Sequence, residues 1–289
     1  MKKRAVLIGL LLLLSFATNA EVSIATWNVR MLSTASRTDE ELAVIAEIVA
    51  RYDVVAVQEA RDQEVLDRLL AFLPGYSYVV SKPVGRGVSE RYAFFYRVGA
   101  VELLGTPFVI SDPDDLFIRE PYVASFRAGA FDFTLVTVHV IYGDSKTQRR
   151  AEVSLLDDIV EAVNWANGSE EDVLLLGDFN LDPTDEAWQM TGYAPLIPPT
   201  TATTISDASS YDNIWFDPTR TAELLPVGLV YRFDELLFAD DDRAASLAVS
   251  DHRPVSVTAV TSGPDDDAGG VFGDALREAM QGTPWGTLP

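Results

Sequence analysis

The sequence predicts an α/β sandwich in which two β-sheets are layered with helices. Short apolar, β-branched and aromatic runs recur along the chain, and only a few amphipathic helical stretches lie between them. No glycine-rich phosphate loop follows a strand, which disfavours a doubly wound nucleotide-binding fold. With 289 residues, 48% of them hydrophobic, the chain can bury a large core, and no internal repeat divides it.

The elements follow in order. Lys2, Lys3 and Arg4 precede an unbroken apolar run from Ala5 to Leu14, and Thr18-Asn19-Ala20 closes it with small residues. That run is too short to span a bilayer and reads as a signal peptide over residues 1–20, with an uncleaved anchor as the rival reading. Strands are expected at Val22 to Trp27, Asp53 to Val57, Tyr76 to Val80, Arg91 to Arg97 and Val101 to Ile110. More are expected at Tyr122 to Arg127, Phe131 to Val138, Val173 to Leu176, Asn213 to Phe216 and Pro254 to Val260. Thr38 and Glu41 form a capping-box pattern ahead of Leu42, Ile45, Ile48 and Val49, and a second helix runs through Val65, Leu66, Leu69 and Leu70 after Asp62. The longest helical pattern covers Lys146 to Asn167, with Val153, Leu156, Ile159, Val160 and Val163 on one face. The main domain is thus expected over residues 21–262. From Gly263 the chain turns acidic and glycine-rich, with a short helix at Phe272 to Met280, and residues 263–289 read as a tail outside the core.

There is no cysteine, so stability rests on the core, on bound metal, or on both, and thiolate zinc sites are excluded. The chain carries 22 basic and 44 acidic residues; without Lys2, Lys3 and Arg4 the balance is 19 against 44, a net of −25. Such a field repels polyanions, although salt screens it over roughly 10 Å. A nucleic-acid substrate is disfavoured by charge but not excluded.

Polar groups able to bind metal or move protons sit directly after or before the apolar runs. They are Asn28, Glu59, His139, Asp178, Asn180, Asp251 and His252. Strand ends on one side of a layered α/β protein share a rim, so these groups can converge on one pocket. The chain has two histidines, His139 and His252, and both lie at such rims beside acids or amides, which suits proton transfer near neutral pH. Carboxylate and amide oxygens suit a hard ion such as Mg²⁺ or Mn²⁺. The Gly-x-Ser-x-Gly and His-Glu-x-x-His patterns are absent, which leaves serine hydrolases and zinc proteases without support.

In order, Trp27-Asn28, Gln58-Glu59, Ser89-Glu90-Arg91-Tyr92, Arg119-Glu120-Pro121, Gly177-Asp178-Phe179-Asn180, Tyr211-Asp212-Asn213-Ile214 and Ser250-Asp251-His252-Arg253-Pro254 resemble the endonuclease/exonuclease/phosphatase superfamily. Tyr76 to Ser81, Gly85-Arg86, Arg61-Asp62 and Thr200 to Thr203 are most similar to its deoxyribonuclease I branch. The resemblance implies a four-layered α/β/β/α sandwich and a secreted, monomeric, metal-dependent endonuclease. Its partner would be DNA, its products would carry 5′-phosphates, and it would have no membrane contact once the signal is removed. It implies that Glu59 holds Mg²⁺ or Mn²⁺ with help from Asn28 and Asp251. His252 would be oriented by Asp212 and His139 paired with Glu90, while Asp178 and Asn180 orient nucleophile and phosphate. Which histidine acts as the base stays open. Arg30, Arg61 and Arg119 would contact DNA, as guanidinium groups suit phosphate and a narrow minor groove.

The chain departs from that pattern in places. Val88 stands where the branch carries a groove-wedging tyrosine, the disulfides are missing, and Pro199 replaces an aspartate of one calcium loop. A second calcium site could survive through Asp115, Phe117 and Glu120, with Asp112 nearby. The alternatives are a secreted phosphodiesterase or phosphatase acting on lipid or small phosphoesters, and a non-catalytic binding protein on the same scaffold.

Overall fold

The computed structural model describes residues 21–87, 89–168, 171–262, 267, 269–281 and 285. The expected signal segment, Val88 and most of the acidic linker lie outside the described residues. β1 (Glu21–Leu32) leads to α1 (Asp39–Val49), which begins as its sequence predicts. The Thr38 hydroxyl accepts from the Glu41 N–H, and the Glu41 carboxylate accepts from the Thr38 N–H. β2 (Val54–Ala60) follows, then α2 (Gln63–Leu70), whose first turn is capped by the Asp62 carboxylate on the Val65 N–H. β3 (Tyr76–Val80), β4 (Arg91–Arg97), β5 (Glu102–Val109), β6 (Tyr122–Ala128) and β7 (Phe131–His139) come next, then α3 (Lys146–Val153), α4 (Leu156–Asn167) and β8 (Val173–Asp178). The chain continues through β9 (Ala194–Pro195), β10 (Asp212–Phe216), β11 (Leu229–Val230), α5 (Phe233–Phe238), α6 (Asp242–Ala248), β12 (Val255–Val260) and α7 (Gly273–Gln281).

The strands form two six-stranded sheets, ordered β11-β12-β1-β2-β4-β3 and β5-β6-β7-β8-β10-β9. Each has one parallel pair at its centre, β1 with β2 and β7 with β8, and is otherwise antiparallel. Alternate residues of the central strands face opposite sides, so each sheet buries both faces. Ile24, Ala56 and Phe94 of the first sheet meet Phe126, Leu135, Leu176 and Ile214 of the second in the inter-sheet core. Trp27, Val55, Val57 and Phe95 pack outward against α1, α2 and Phe233 of α5. Val136, Val138, Val173 and Leu175 pack against α4 and α7. The result is the expected α/β/β/α sandwich. Each fully buried Phe or Leu contributes roughly 1.5–3 kcal/mol to it.

Two expectations are corrected. The predicted helix over 146–167 is two helices, broken at Ser154 and Leu155, where Leu155 N–H turns tightly onto the Glu152 carbonyl. The break lets α3 lean over the strand ends while α4 keeps Leu156, Ile159, Val160 and Val163 on the sheet. The segment after residue 262 is also not wholly outside the core. Leu276 and Met280 of α7 are buried beside α4 and β5, and Trp285 stacks near Phe117. The close approach needs glycine on both sides, because a Cβ on Gly105 or Gly273 would strike the other's backbone.

Candidate active site

The parallel pairs aim their C-terminal ends at one rim, and the antiparallel neighbours bring their N-terminal ends there. Asn28 and Glu59 come from β1 and β2, His139 and Asp178 end β7 and β8, and Asp212 begins β10. Register sets Asp178 beside both His139 and Asp212. Gly177 is required for this placement, as a Cβ there would run into the Val138 carbonyl of the neighbouring strand. Pairing is irregular after Asn28 and Val57, and Glu59 adopts a positive φ of 63°. Bulges at strand ends re-aim side chains in this way, and the strain coincides with a residue of the expected site.

The two histidines meet across the sheets. His139 Nδ1 lies 2.6 Å from Glu90 Oε1, and His252 Nδ1 lies 2.8 Å from Asp212 Oδ2. Each Nε2 is 3.7 Å from the same atom, Asp178 Oδ2. Both imidazoles therefore carry a carboxylate behind and turn the opposite nitrogen toward a shared point. Asp178 also accepts from Asn28 Nδ2 at 3.0 Å and from the Asn180 N–H at 2.9 Å. The Asn180 amide donates to the Val140 carbonyl.

The loop bearing His252 is locked from several sides. Trp27 Nε1 donates to the His252 carbonyl, Ser250 Oγ to the Asn28 carbonyl, and the His252 N–H to Ser250 Oγ. Arg253, 1% exposed, is held by both carboxylate oxygens of Asp234 on α5 and by Asp207. Thr203 Oγ1 donates to Asp212 Oδ2, fixing the carboxylate from its other side. On the opposite side the Tyr92 hydroxyl accepts from the His139 N–H, joining the sheets at the rim.

These surroundings set the ionisation. Burial opposes charge on His252, but Asp212 and Asp178 outweigh it and raise the imidazole to about 10. His139 is raised too, with Glu90 overcoming its burial. Burial alone would lift Glu59, yet His139, the Met31 N–H, Asn28 and Arg61 together hold it near 2. Asp212 is pushed up by burial, countered in part by His252.

The three arginines all reach the rim, where each is already engaged. Arg61 bridges Glu59 at 3.0 Å and Glu90 at 3.6 Å. Arg119 lies 3.1 Å from Glu90 and donates to the His139 carbonyl. Arg30 donates to Ser246 of α6 and stands 3.8 Å from Asp251.

The expected metal ligands are brought together in part. Asn28 Nδ2 donates to Glu59 Oε1 at 3.1 Å, while Asn28 Oδ1 is buried with no hydrogen-bond partner. An unused amide oxygen beside an ionised carboxylate is a hard donor set and fits Mg²⁺ or Mn²⁺. Asp251 stands half exposed at the rim facing Arg30. A tighter group of donor atoms is Asp178, Asp212 and His252. There Asp212 Oδ2 already serves His252 and Thr203, as the Glu59 oxygens serve Asn28, Met31 and Arg61.

At the second expected site an arginine lies among the expected donors, while Asp112 Oδ1 is buried with no hydrogen-bond partner. Asp112 Oδ2 accepts from the Phe117 N–H, and Arg86 binds the Asp115 carboxylate and the Asp115 and Phe117 carbonyls. Asp112, Asp115 and Glu120 form no three-carboxylate cluster among the described residues. Calcium takes about six to eight oxygens, and Arg86 lies on three of the donors expected here.

Glu152 is the functional residue that sequence reasoning missed. It is 4% exposed, and its two oxygens accept from the Ile118 and Ile141 N–H groups at 2.7 and 2.8 Å. One carboxylate thus ties the loop before Arg119 to the loop after His139. The available signal was an acid four residues before Leu156 on a buried helical stripe. Glu152→Gln turns an acceptor into a donor against a buried N–H. The expected loss is about 1–3 kcal/mol, read as a lower melting temperature together with reduced turnover.

Residues 25–252 match the family model described as Endonuclease/Exonuclease/phosphatase family. A deoxyribonuclease of Thioalkalivibrio sp. (strain K90mix) is 32% identical over 89% of this chain and 76% of its own length. Deoxyribonuclease-1 of Bos taurus is 32% identical over 87% of this chain and 98% of its own. Among solved structures, the human nocturnin catalytic domain superposes with a TM-score of 0.59 at 15% identity, covering 83% of this chain and 94% of that one. A mannosyl-6-phosphatase of Bacteroides thetaiotaomicron gives 0.57 at 20% identity, covering 82% and 98%. These two likenesses speak to the fold alone. From the family match and the 32% relatives, the chain belongs to the endonuclease/exonuclease/phosphatase family, in its deoxyribonuclease I-like branch.

Proposed function

We propose that this protein is a secreted, metal-dependent endonuclease that hydrolyses DNA phosphodiesters to 5′-phosphate ends with little sequence specificity. The observation that carries this is the pair of histidine–carboxylate dyads whose Nε2 atoms share Asp178 Oδ2 at 3.7 Å. Hydrolysis of a diester needs a proton taken from water on one side of phosphorus and a proton given to the leaving oxygen on the other. Two imidazoles with carboxylates behind them and Nε2 turned to the shared point place one proton-transfer group for each task.

Asn28 and Glu59, assisted by Asp251, hold Mg²⁺ or Mn²⁺ in this reading. A bound ion withdraws charge from a phosphate oxygen as the transition state forms. Asp178 and Asn180 orient water and phosphate between the histidines. Arg61 and Arg119, fixed on Glu90, present charge to the scissile phosphate, and Arg30 extends that charge along the rim. Contacts of this kind address the backbone, which accounts for weak sequence preference. The names of the 32% identical relatives support DNA over lipid or small phosphoesters. The basic residues Lys2 to Arg4 and the apolar run after them support export. Among the described residues no helix is long and apolar enough to cross a membrane.

The test is plasmid cleavage with Mg²⁺, Mn²⁺, Ca²⁺ or chelator, followed by end-group analysis. Nicking with Mg²⁺ or Mn²⁺, abolished by chelator and leaving 5′-phosphates, is the expected result. Hydrolysis of sphingomyelin with intact plasmid would overturn the reading.

A further inference from the structure

Resting on the DNA reading above, we infer that Tyr142 is a stacking platform for a nucleobase of the substrate, held ready at the rim by Arg149. Tyr142 follows His139 by three residues, so its Cα lies within about 10 Å of the catalytic histidine's. It is 58% exposed, in a chain whose aromatic residues are mostly interior. Among the described residues, Phe72 and Trp165 are the other exposed aromatics, and they sit just past α2 and on α4.

Three side chains of α3 hold this ring's loop in place. The Arg149 guanidinium lies over the Tyr142 ring, 3.8 Å from its centroid, and its Nε donates to the Tyr142 carbonyl at 2.7 Å. Gln148 Oε1 accepts from the Asp144 N–H, and Glu152 accepts from the Ile141 N–H. Arg149 also donates to the Asn180 carbonyl at 3.2 Å, so the ring's support reaches directly into the catalytic site. An exposed aromatic would ordinarily lose entropy on binding; one already immobilised loses little.

Charge points the same way. Neighbouring Lys146 and Arg150 are neutralised by Asp185 and Glu186. Arg149 instead contacts two carbonyls and a ring face, so its charge stays available in a strongly acidic protein. A cation beside an aromatic face matches a nucleotide, with its flat base and adjoining phosphate. The platform would grip a base beside the scissile phosphate.

The experiment compares wild type, Tyr142→Ala and Tyr142→Phe in two assays. In steady-state cleavage of a DNA oligonucleotide with Mg²⁺, Tyr142→Ala should raise KM about tenfold, the loss of one base–aromatic stack, with kcat much less affected. Tyr142→Phe should restore KM. In chelator, binding of an oligonucleotide carrying 2-aminopurine should quench its fluorescence with wild type and Tyr142→Phe but not with Tyr142→Ala. Unchanged KM and quenching in Tyr142→Ala would overturn the inference. So would a parallel loss on bis-p-nitrophenyl phosphate, which would make Tyr142 a support for Asn180. A wild-type enzyme active on that small diester but inert on DNA would remove the substrate reading itself, and the inference with it.

Discussion

Replacing His252 by alanine is expected to lower kcat for plasmid nicking by about 10²–10⁴, the usual share of a positioned proton-transfer group. KM for DNA should change much less, because Arg61 and Arg119 lie on the other dyad. The imidazole is 12% exposed, backed by Asp212 and facing Asp178, so no other side chain can take its place. Truncation leaves Asp212 buried and bonded to Thr203 but without its imidazole partner, so the variant should also melt earlier at neutral pH. Melting curves carry a second signature. The folded-state value for His252, near 10, lies above its unfolded value, so its contribution to stability is full below about 6.5 and is lost as pH rises through about 10. The melting difference between wild type and His252→Ala should therefore shrink at strongly alkaline pH. Unchanged nicking by the variant would overturn the assignment.

Glu59→Gln is expected to raise the Mg²⁺ concentration needed for half-maximal activity by about 100-fold or more. Supporting residues of metal sites alone are worth about 10–100-fold, and Glu59 would be a direct ligand. The substitution keeps the shape and the neighbours Asn28 and Arg61 but removes the charge. A Mn²⁺ titration followed by calorimetry separates weakened binding from slowed chemistry. The folded-state value near 2 lies below the unfolded one, so the carboxylate stabilises the fold above about 4.5 and this is lost as pH falls toward 2. Wild type should therefore keep its metal affinity into mildly acidic solution better than an ordinary carboxylate site would. Equal metal requirements in variant and wild type would place the ion elsewhere, with Asp178, Asp212 and His252 the next group to examine.

Much of the site was legible because it is written at strand ends. An apolar run followed by Glu59, His139 or Asp178 announces both the strand and the point where it meets solvent, and each histidine fell at one end of a run. What escaped depends on contacts distant in sequence. Glu152 reads as one more helix acid until two backbone N–H groups from separate loops close on it. The Asp234 grip on Arg253 joins a six-residue helix, too short to leave a periodic trace, to the loop of His252. The continuous stripe of Lys146 to Asn167 hid a break, because helical phase alone does not register a change of axis at Ser154. The helix expected near Phe272 to Met280 was legible, but its docking rests on two glycines set far apart in the chain.

The strand that opens the sandwich, β1, is paired over Glu21 to Thr26 with β12, the strand that closes it. A ribosome delivers the first of these long before the second, and His252 arrives just ahead of the latter. Until residue 252 has been made, the chain holds one imidazole, and Asp212 has no histidine to orient. The dyad of His252 and Asp212 is thus completed only when the first and last strands of the sandwich come together.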